Sequence, residues 1–322
     1  DPGYVSSSGT VSKWPGSLGF GATFDDSYVL SHGQATAEEY RALGIALALS
    51  PQIDLSTEPR WSRVSGTYGE SAYLTSDMAK AYTVGFQSTY SETGENLGWG
   101  EDSVAVMLKH FPGDGSGEAG RESHANCGKY AVYPGDNMDY HFYPFKNSLS
   151  GVEGTEFAAS IMPSYSIAID GDGNTYDDGN LQYASGYSPY KLDILRTEYD
   201  YDGVVCTDWG TSGMFMGPND ATAVMVSSGT SYGESAKLSS EARMWQGFKS
   251  GTDMLGGFEH PYFVVEAYNY GVSTDGAAVA DSVYKKSAER ILTLYFRLNL
   301  FENPYLDKAD SLATINSQDK YE

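Results

Sequence analysis

The 322 residues carry 43 acidic against 20 basic side chains, a formal net charge of −23; nucleic acid and anionic membranes repel such a surface, so neither is an expected partner. The length suits one large α/β domain or two ordinary ones, with a substantial buried core. No apolar run reaches the roughly 18 residues of a membrane span, and the opening Asp1-Pro2-Gly3-Tyr4 has neither the basic region nor the apolar core of a signal peptide.

Residues 1 to 24 are rich in Ser, Gly and Pro, break at Trp14-Pro15 and read as an entry loop. Ala35 to Leu49 has helical character, and Ile45 to Asp54 runs into a buried strand that ends on an acid. The loop Glu58-Pro59-Arg60-Trp61-Ser62-Arg63 brings two guanidinium groups, and Tyr73 to Phe86 is the next expected helix. Val104-Ala105-Val106-Met107-Leu108 is an apolar strand that stops at Lys109-His110 and enters the glycine-rich loop Phe111 to Gly117. Phe157 to Met162 repeats the pattern and stops at Pro163-Ser164-Tyr165. After a helix-like segment, Lys191 to Tyr199, the short core Gly203-Val204-Val205-Cys206 stops at Thr207-Asp208-Trp209-Gly210. Met244 to Ser250 leads to Gly251-Thr252-Asp253, and Val279 to Leu298 reads as a long helix.

The polar strand ends Asp54, Lys109, Tyr165, Asp208 and Asp253 recur at roughly 40 to 60 residues, the length of a βα unit with a generous loop. Alternating strands and helices imply parallel strands, and polar residues at their C-terminal ends favour a barrel with its site on that face. A doubly wound sheet alternates in the same way, but no Gly-x-Gly-x-x-Gly opens a helix after a first strand, which argues against a dinucleotide site. On its own segment Asp208 has two readings, a carboxylate for chemistry or the cap of a following helix.

Cys127 and Cys206 make neither a disulfide framework nor a metal-ligand cluster. The 26 tyrosines and 5 tryptophans offer flat apolar faces on which sugar rings can stack, although a tyrosine-rich surface is also a common compositional habit. Asp170-Gly171-Asp172-Gly173-Asn174 resembles the first half of a calcium loop, yet Thr175 stands where that loop needs Gly and Leu181 where it needs Glu, so an acidic turn is the stronger reading.

Three segments together resemble the N-terminal barrel of glycoside hydrolase family 3, the β-glucosidase family. They are Ala48-Leu49-Ser50-Pro51-Gln52-Ile53-Asp54 with Glu58-Pro59-Arg60-Trp61-Ser62-Arg63 and Tyr68-Gly69-Glu70, then Lys109-His110-Phe111-Pro112-Gly113, then Gly203 to Gly210. Leu18 to Asp25, Gly251-Thr252-Asp253-Met254 and Leu300 to Tyr305 add minor agreements in the same order. The resemblance implies an α/β fold, a (β/α)8 TIM-like barrel over residues 1–305 that lacks its opening strands, followed by a linker, 306–322, toward a second α/β domain that this chain does not contain.

The resemblance also implies a retaining, exo-acting β-glycosidase of the β-glucosidase type with Asp208 as nucleophile, forming a covalent glycosyl-aspartate. Arg63, Lys109 and His110 are then the groups that hold the hydroxyls of the terminal sugar. Tyr165 matches a family tyrosine beside the nucleophile, and Trp209 supplies a stacking wall. Arg121 and His124 approach from the loop after Lys109-His110, and Asp1 is a further substrate ligand. No organic cofactor and no metal is implied. The substrate is a β-glucoside or β-linked oligosaccharide; β-N-acetylglucosaminidase and β-xylosidase activities, or a carbohydrate-binding barrel that needs a partner chain, are the alternatives. A secreted or periplasmic location is expected rather than a cytoplasmic one.

Retaining chemistry needs a second carboxyl group about 5 to 5.5 Å from the first. Many members of the family take it from a glutamate of the second domain, whereas one branch uses a histidine with an acid two residues before it. Glu122-Ser123-His124 stands in the corresponding loop at a longer spacing and with glutamate in place of aspartate, and Glu118 is another local acid. Arg60 reads as structural, Asp54 and Asp253 as organisers of the strand ends, and His141 and His260 have no motif support. Lys109-His110 has the alternative reading of a buried ion-pair site.

Overall fold

The computed structural model describes residues 11–211 and 232–317. Four parallel strands, β1 (Leu47–Ala48), β2 (Ala105–Phe111), β3 (Ser160–Pro163) and β4 (Val204–Val205), lie side by side in chain order. Leu47 pairs with Ala105, Met107 and Val204 both pair with Ser160, and a bridge from Cys206 to Met254 adds a fifth parallel position. Ala105, Val106, Met107 and Leu108 are buried, as expected of a strand covered on both faces. Among the described residues this parallel arc does not close on itself through hydrogen bonds. The fold is α/β, of the (β/α)-barrel type.

Helices line the outside of the arc, chiefly Ser27–Ala42, Ala72–Gln87, Met138–Leu149, Ser240–Ser250, Pro261–Asp275 and Ala277–Arg297. The first two cross at a pair of glycines. A Cβ on Gly33 would lie 2.9 Å from the Gly85 Cα, so side chains at both positions would force the helices apart. Tyr82 and Phe86 stack beside that crossing at 4.3 Å between ring centroids, inside the main core with Val29, Tyr40 and Met78. Ser71 and Ser239 cap the helices that follow them, each accepting a backbone N–H three residues on.

Several expected boundaries move. The first long helix covers Ser27–Ala42 rather than 35–49, because the chain turns at Gly44, whose φ of +80° suits glycine, and leaves for β1. The ladder of β1 is short, since Pro51 has no N–H to donate, but Ser50 and Pro51 still accept from Met107 and Lys109, and Gln52 bridges Lys109. Glu156–Phe157 pairs with Ser150–Val152 and is separate from β3. Lys191 to Tyr199 divides into an α-helical turn, Pro189–Asp193, and a π-helical turn, Ile194–Glu198. Residues Lys308–Asn316 form a further helix against the one at Ser27–Ala42. Among the described residues no helix is long and apolar enough to cross a membrane.

Candidate active site

The C-terminal ends of β1 to β4 deliver Asp54, Lys109 with His110, Tyr165 and Asp208 to one face of the arc. The end of β4 is held rigidly from behind. Asp253 accepts the Val205 N–H at 2.9 Å, Arg290 Nη1 at 2.9 Å, Ser287 Oγ at 3.0 Å and Arg196 Nη2. Arg196 also donates to the carbonyls of Tyr201, Gly203 and Gly251, so both residues fix the strand and neither faces a ligand.

Asp208 is 7 % exposed. Its Oδ1 accepts the Trp209 N–H at 2.6 Å, while Oδ2 is buried with no hydrogen-bond partner among the described residues. His110 Nε2 stands 3.8 Å from that oxygen. The other ring nitrogen, Nδ1, is 2.9 Å from Asp54 Oδ2, and Asp54 Oδ1 accepts the backbone N–H groups of His110 at 3.2 Å and Asp114 at 2.6 Å. Burial, with the Arg63 charge nearby, takes the His110 imidazole down to about 3, so the ring is neutral. It donates Nδ1–H to Asp54 and turns an acceptor, Nε2, toward Asp208. A hydroxyl placed between His110 and Asp208 has an acceptor on either side. Burial pushes the Asp54 carboxyl up, opposed by the two backbone N–H groups.

Tyr165 donates its hydroxyl to the Trp209 carbonyl at 2.5 Å; burial and then the Asp208 charge raise it far above the ordinary phenol range, so it stays protonated. Neither Lys109 nor Arg63 has an ion pair or side-chain hydrogen bond with a described residue. Burial and the Arg63 charge lower Lys109 to about 8, against the pull of Asp208 and Asp54. Both cations border a cavity of about 280 Å³ that His32, Gln52, Tyr68 and Tyr82 also line. Asp208 does not line it, so the cavity adjoins the carboxylate through the two cations rather than containing it.

The loop after β2 brings His124 with its ring centroid 4.7 Å from that of Tyr165, edge to face. His124 Nδ1 meets Glu122 Oε1 at 2.7 Å, a bond that raises the imidazole above its ordinary value. Burial works to raise Glu122, but the His124 bond, the Arg63 charge and the Trp61 indole N–H, 3.0 Å from Oε2, take it to about 2. Trp209 is 40 % exposed and lies over glycine backbone; a Cβ on Gly257 would come within 2.5 Å of its indole.

Of the residues singled out in the sequence, the structure gathers Arg63, Lys109, His110, His124, Tyr165 and Trp209 near Asp208. Arg121 is not among them: half-exposed, it pairs with Glu118 at 2.9 Å three residues away. Asp1 lies outside the described residues. Arg60 is exposed and pairs with Glu58, His141 is buried beside Tyr133, and the Asp170 carboxylate closes its own turn by accepting from Asp172, Asn174 and the Asn174 amide. Lys109 and His110 do not form one ion-pair site: His110 takes Asp54, and Lys109 has no side-chain partner among the described residues. Sequence reasoning missed Asp114, Trp61 and Gly257. The first sits in the glycine-rich loop of the Lys109-His110 motif, which is the signal that points to it.

The sequence model of the glycosyl hydrolase family 3 N-terminal domain matches residues 1–293. "Beta-glucosidase C" of Emericella nidulans is 38 % identical over 303 residues, which are 93 % of this chain and 44 % of that protein. "Periplasmic beta-glucosidase/beta-xylosidase" of Dickeya chrysanthemi is 34 % identical over 317 residues, 97 % of this chain and 45 % of that one. Among solved structures, a β-glucosidase involved in saponin metabolism from intestinal bacteria superposes with a TM-score of 0.72 at 25 % identity, covering 97 % of this chain and 35 % of that one. The chain therefore spans less than half the length of these relatives.

Proposed function

Because the chain belongs to glycosyl hydrolase family 3 through its N-terminal domain, we propose that it carries the nucleophile of a retaining, exo-acting β-glycosidase acting on terminal β-D-glucosyl residues. The observation that carries this reading is the Asp208 carboxylate, buried at the end of a parallel strand, whose Oδ2 has no hydrogen-bond partner among the described residues. A carboxylate so placed stabilises an oxocarbenium-like centre and then bonds to it. His110 Nε2, Lys109 and Arg63 supply an acceptor and donors for the hydroxyls of one sugar ring, and the exposed Trp209 face takes the next ring or an aglycone. Domain 1–305 is the sugar-holding unit. Residues 306–322 lead toward a second α/β domain, in this chain's continuation or a partner, that supplies the acid/base glutamate. The Dickeya relative is named for both β-glucosidase and β-xylosidase, which favours β-xylosidase as the second reading. Relatives named as periplasmic support a periplasmic or secreted location.

A 2-fluoro-glucoside, which is trapped as its glycosyl-enzyme, tests this directly by digestion and mass spectrometry. The expected result is a single labelled peptide with the sugar on Asp208. A label on another carboxylate, or inversion of configuration in turnover by the complete protein, overturns it.

A further inference from the structure

Asp114 has no assigned role, yet it is 2 % exposed and every polar atom of its side chain is engaged. Its Oδ2 accepts the Ser123 hydroxyl at 2.5 Å, its Oδ1 accepts the Ser166 hydroxyl, and its backbone N–H binds Asp54 Oδ1 at 2.6 Å. Each of these partners stands next to a group that surrounds Asp208. Asp54 holds the His110 ring. Ser123 lies between Glu122 and His124. Ser166 follows Tyr165. The three segments come from different strand ends, and other bonds run alongside: the Trp61 indole N–H to Glu122 at 3.0 Å, the Ile167 N–H to the Lys129 carbonyl at 2.8 Å, and the Tyr232 hydroxyl to the Ser123 carbonyl at 2.6 Å.

We propose that Asp114 is a positioning residue that sets His110, Tyr165 and the Glu122–His124 pair relative to one another around the Asp208 carboxylate. The inference rests on the proposed glycosidase reading and deepens it. Asp114 touches no substrate; it acts through two serines and a second aspartate. Both serines donate to it, so the ionised carboxylate is the form the contacts suit, and burial, which raises its pKa, is opposed by those same hydroxyls. Asparagine has the same volume but turns an N–H₂ toward one serine, which must rotate or move. Displacement of a reacting group by about 1 Å costs on the order of 100-fold, and loss of a supporting contact around a site costs about 10- to 100-fold.

The test compares the full chain with Asp114→Asn, Ser123→Ala and Ser166→Ala. Three readouts are taken: the thermal midpoint, the ring ¹⁵N signals of His110 and His124 by NMR, and the rate of trapping by a 2-fluoro-glucoside. Asp114→Asn is expected to keep its fold, shift both histidine signals and slow trapping by about 10- to 100-fold, with kcat of the complete protein falling more than KM rises. Ser123→Ala should move His124 alone, and Ser166→Ala should slow trapping with both rings in place. Unchanged ring signals and trapping in a folded Asp114→Asn overturn the proposal, as does a loss of trapping that only follows the fall in midpoint. If Asp114→Asn does not fold, an unmoved His124 signal in Ser123→Ala overturns it instead. Should the parent chain alone resist trapping, the glycosidase reading is decided by trapping in the complete protein, while the ring signals still decide the wiring.

Discussion

Asp54 and Asp208 are both buried acids at the C-terminal end of a parallel strand, and they differ in what surrounds their oxygens. Asp54 accepts two backbone N–H groups and an imidazole N–H. Among the described residues Asp208 accepts one N–H, and its Oδ2 has no partner. The same contrast separates the cations: Arg196 and Arg290 are saturated by Asp253, Asp202 and carbonyls, whereas Lys109 and Arg63 have no such partners among the described residues. A buried polar group left without a protein partner is costly. Where the fold keeps one beside others of the same kind, a ligand is the partner that offsets the cost, and the saturated groups are the frame that holds them.

The contrast predicts that activity and stability separate by residue. Asp208→Asn should lower glycoside turnover by the complete protein by at least about 10³-fold, as for other removed nucleophiles, while its urea midpoint stays put or rises, since a bare buried carboxylate is relieved. Equal losses of stability at both positions would break the comparison. Asp54→Ala should show the reverse emphasis. It leaves three buried donors without acceptors, at about 1 kcal/mol or more each, and so should lose about 3 kcal/mol in urea unfolding.

The pH dependence sharpens the point. Lys109 falls from its ordinary 10.5 to about 8, so it is charged below that pH and neutral above it. Sugar affinity should hold at acid and neutral pH and weaken as pH rises through about 8, and Lys109→Arg should remove that limb. Its folded pKa lies below the unfolded one, so holding the charged form costs stability below about 8, and that cost fades as pH climbs toward 10.5. His110, at about 3, should show no NMR titration between pH 5 and 8, whereas His124 should titrate above the ordinary histidine value. The smallest effect belongs to Arg60→Ala. Its exposed pair with Glu58 is of the kind that contributes little, and kcat and KM should stay within about twofold.

The strand ends were legible because Val104 to Leu108 and Gly203 to Cys206 are apolar runs buried on both faces, so the first polar residue after each marks where the chain emerges. Asp208, Lys109, His110 and Tyr165 follow from that rule and from the resemblance to the family. Asp114 was not legible. Its partners lie 9 and 52 residues away, and nothing local in a Gly-Asp-Gly turn announces a long-range carboxylate. The helix at Pro261–Asp275 escaped because Tyr, Val, Asn, Gly and Thr fill it, residues of modest helix propensity that tertiary packing overrides. The start of the Ser27–Ala42 helix escaped likewise, since Gly33 looks like a break and is in fact the crossing point with Gly85.

The unequal oxygens of Asp208 matter again once the first half of the proposed reaction is over. Bond formation through Oδ2 turns the side chain into an acyl group whose carbonyl oxygen is Oδ1, the atom held by the Trp209 N–H at 2.6 Å. Water must then displace the carboxylate as a leaving group, and charge returns to both oxygens as the ester breaks. An amide hydrogen already aimed at one of them stabilises the returning charge and eases that departure, so in the proposed reaction the peptide group just after the nucleophile serves the release of the sugar.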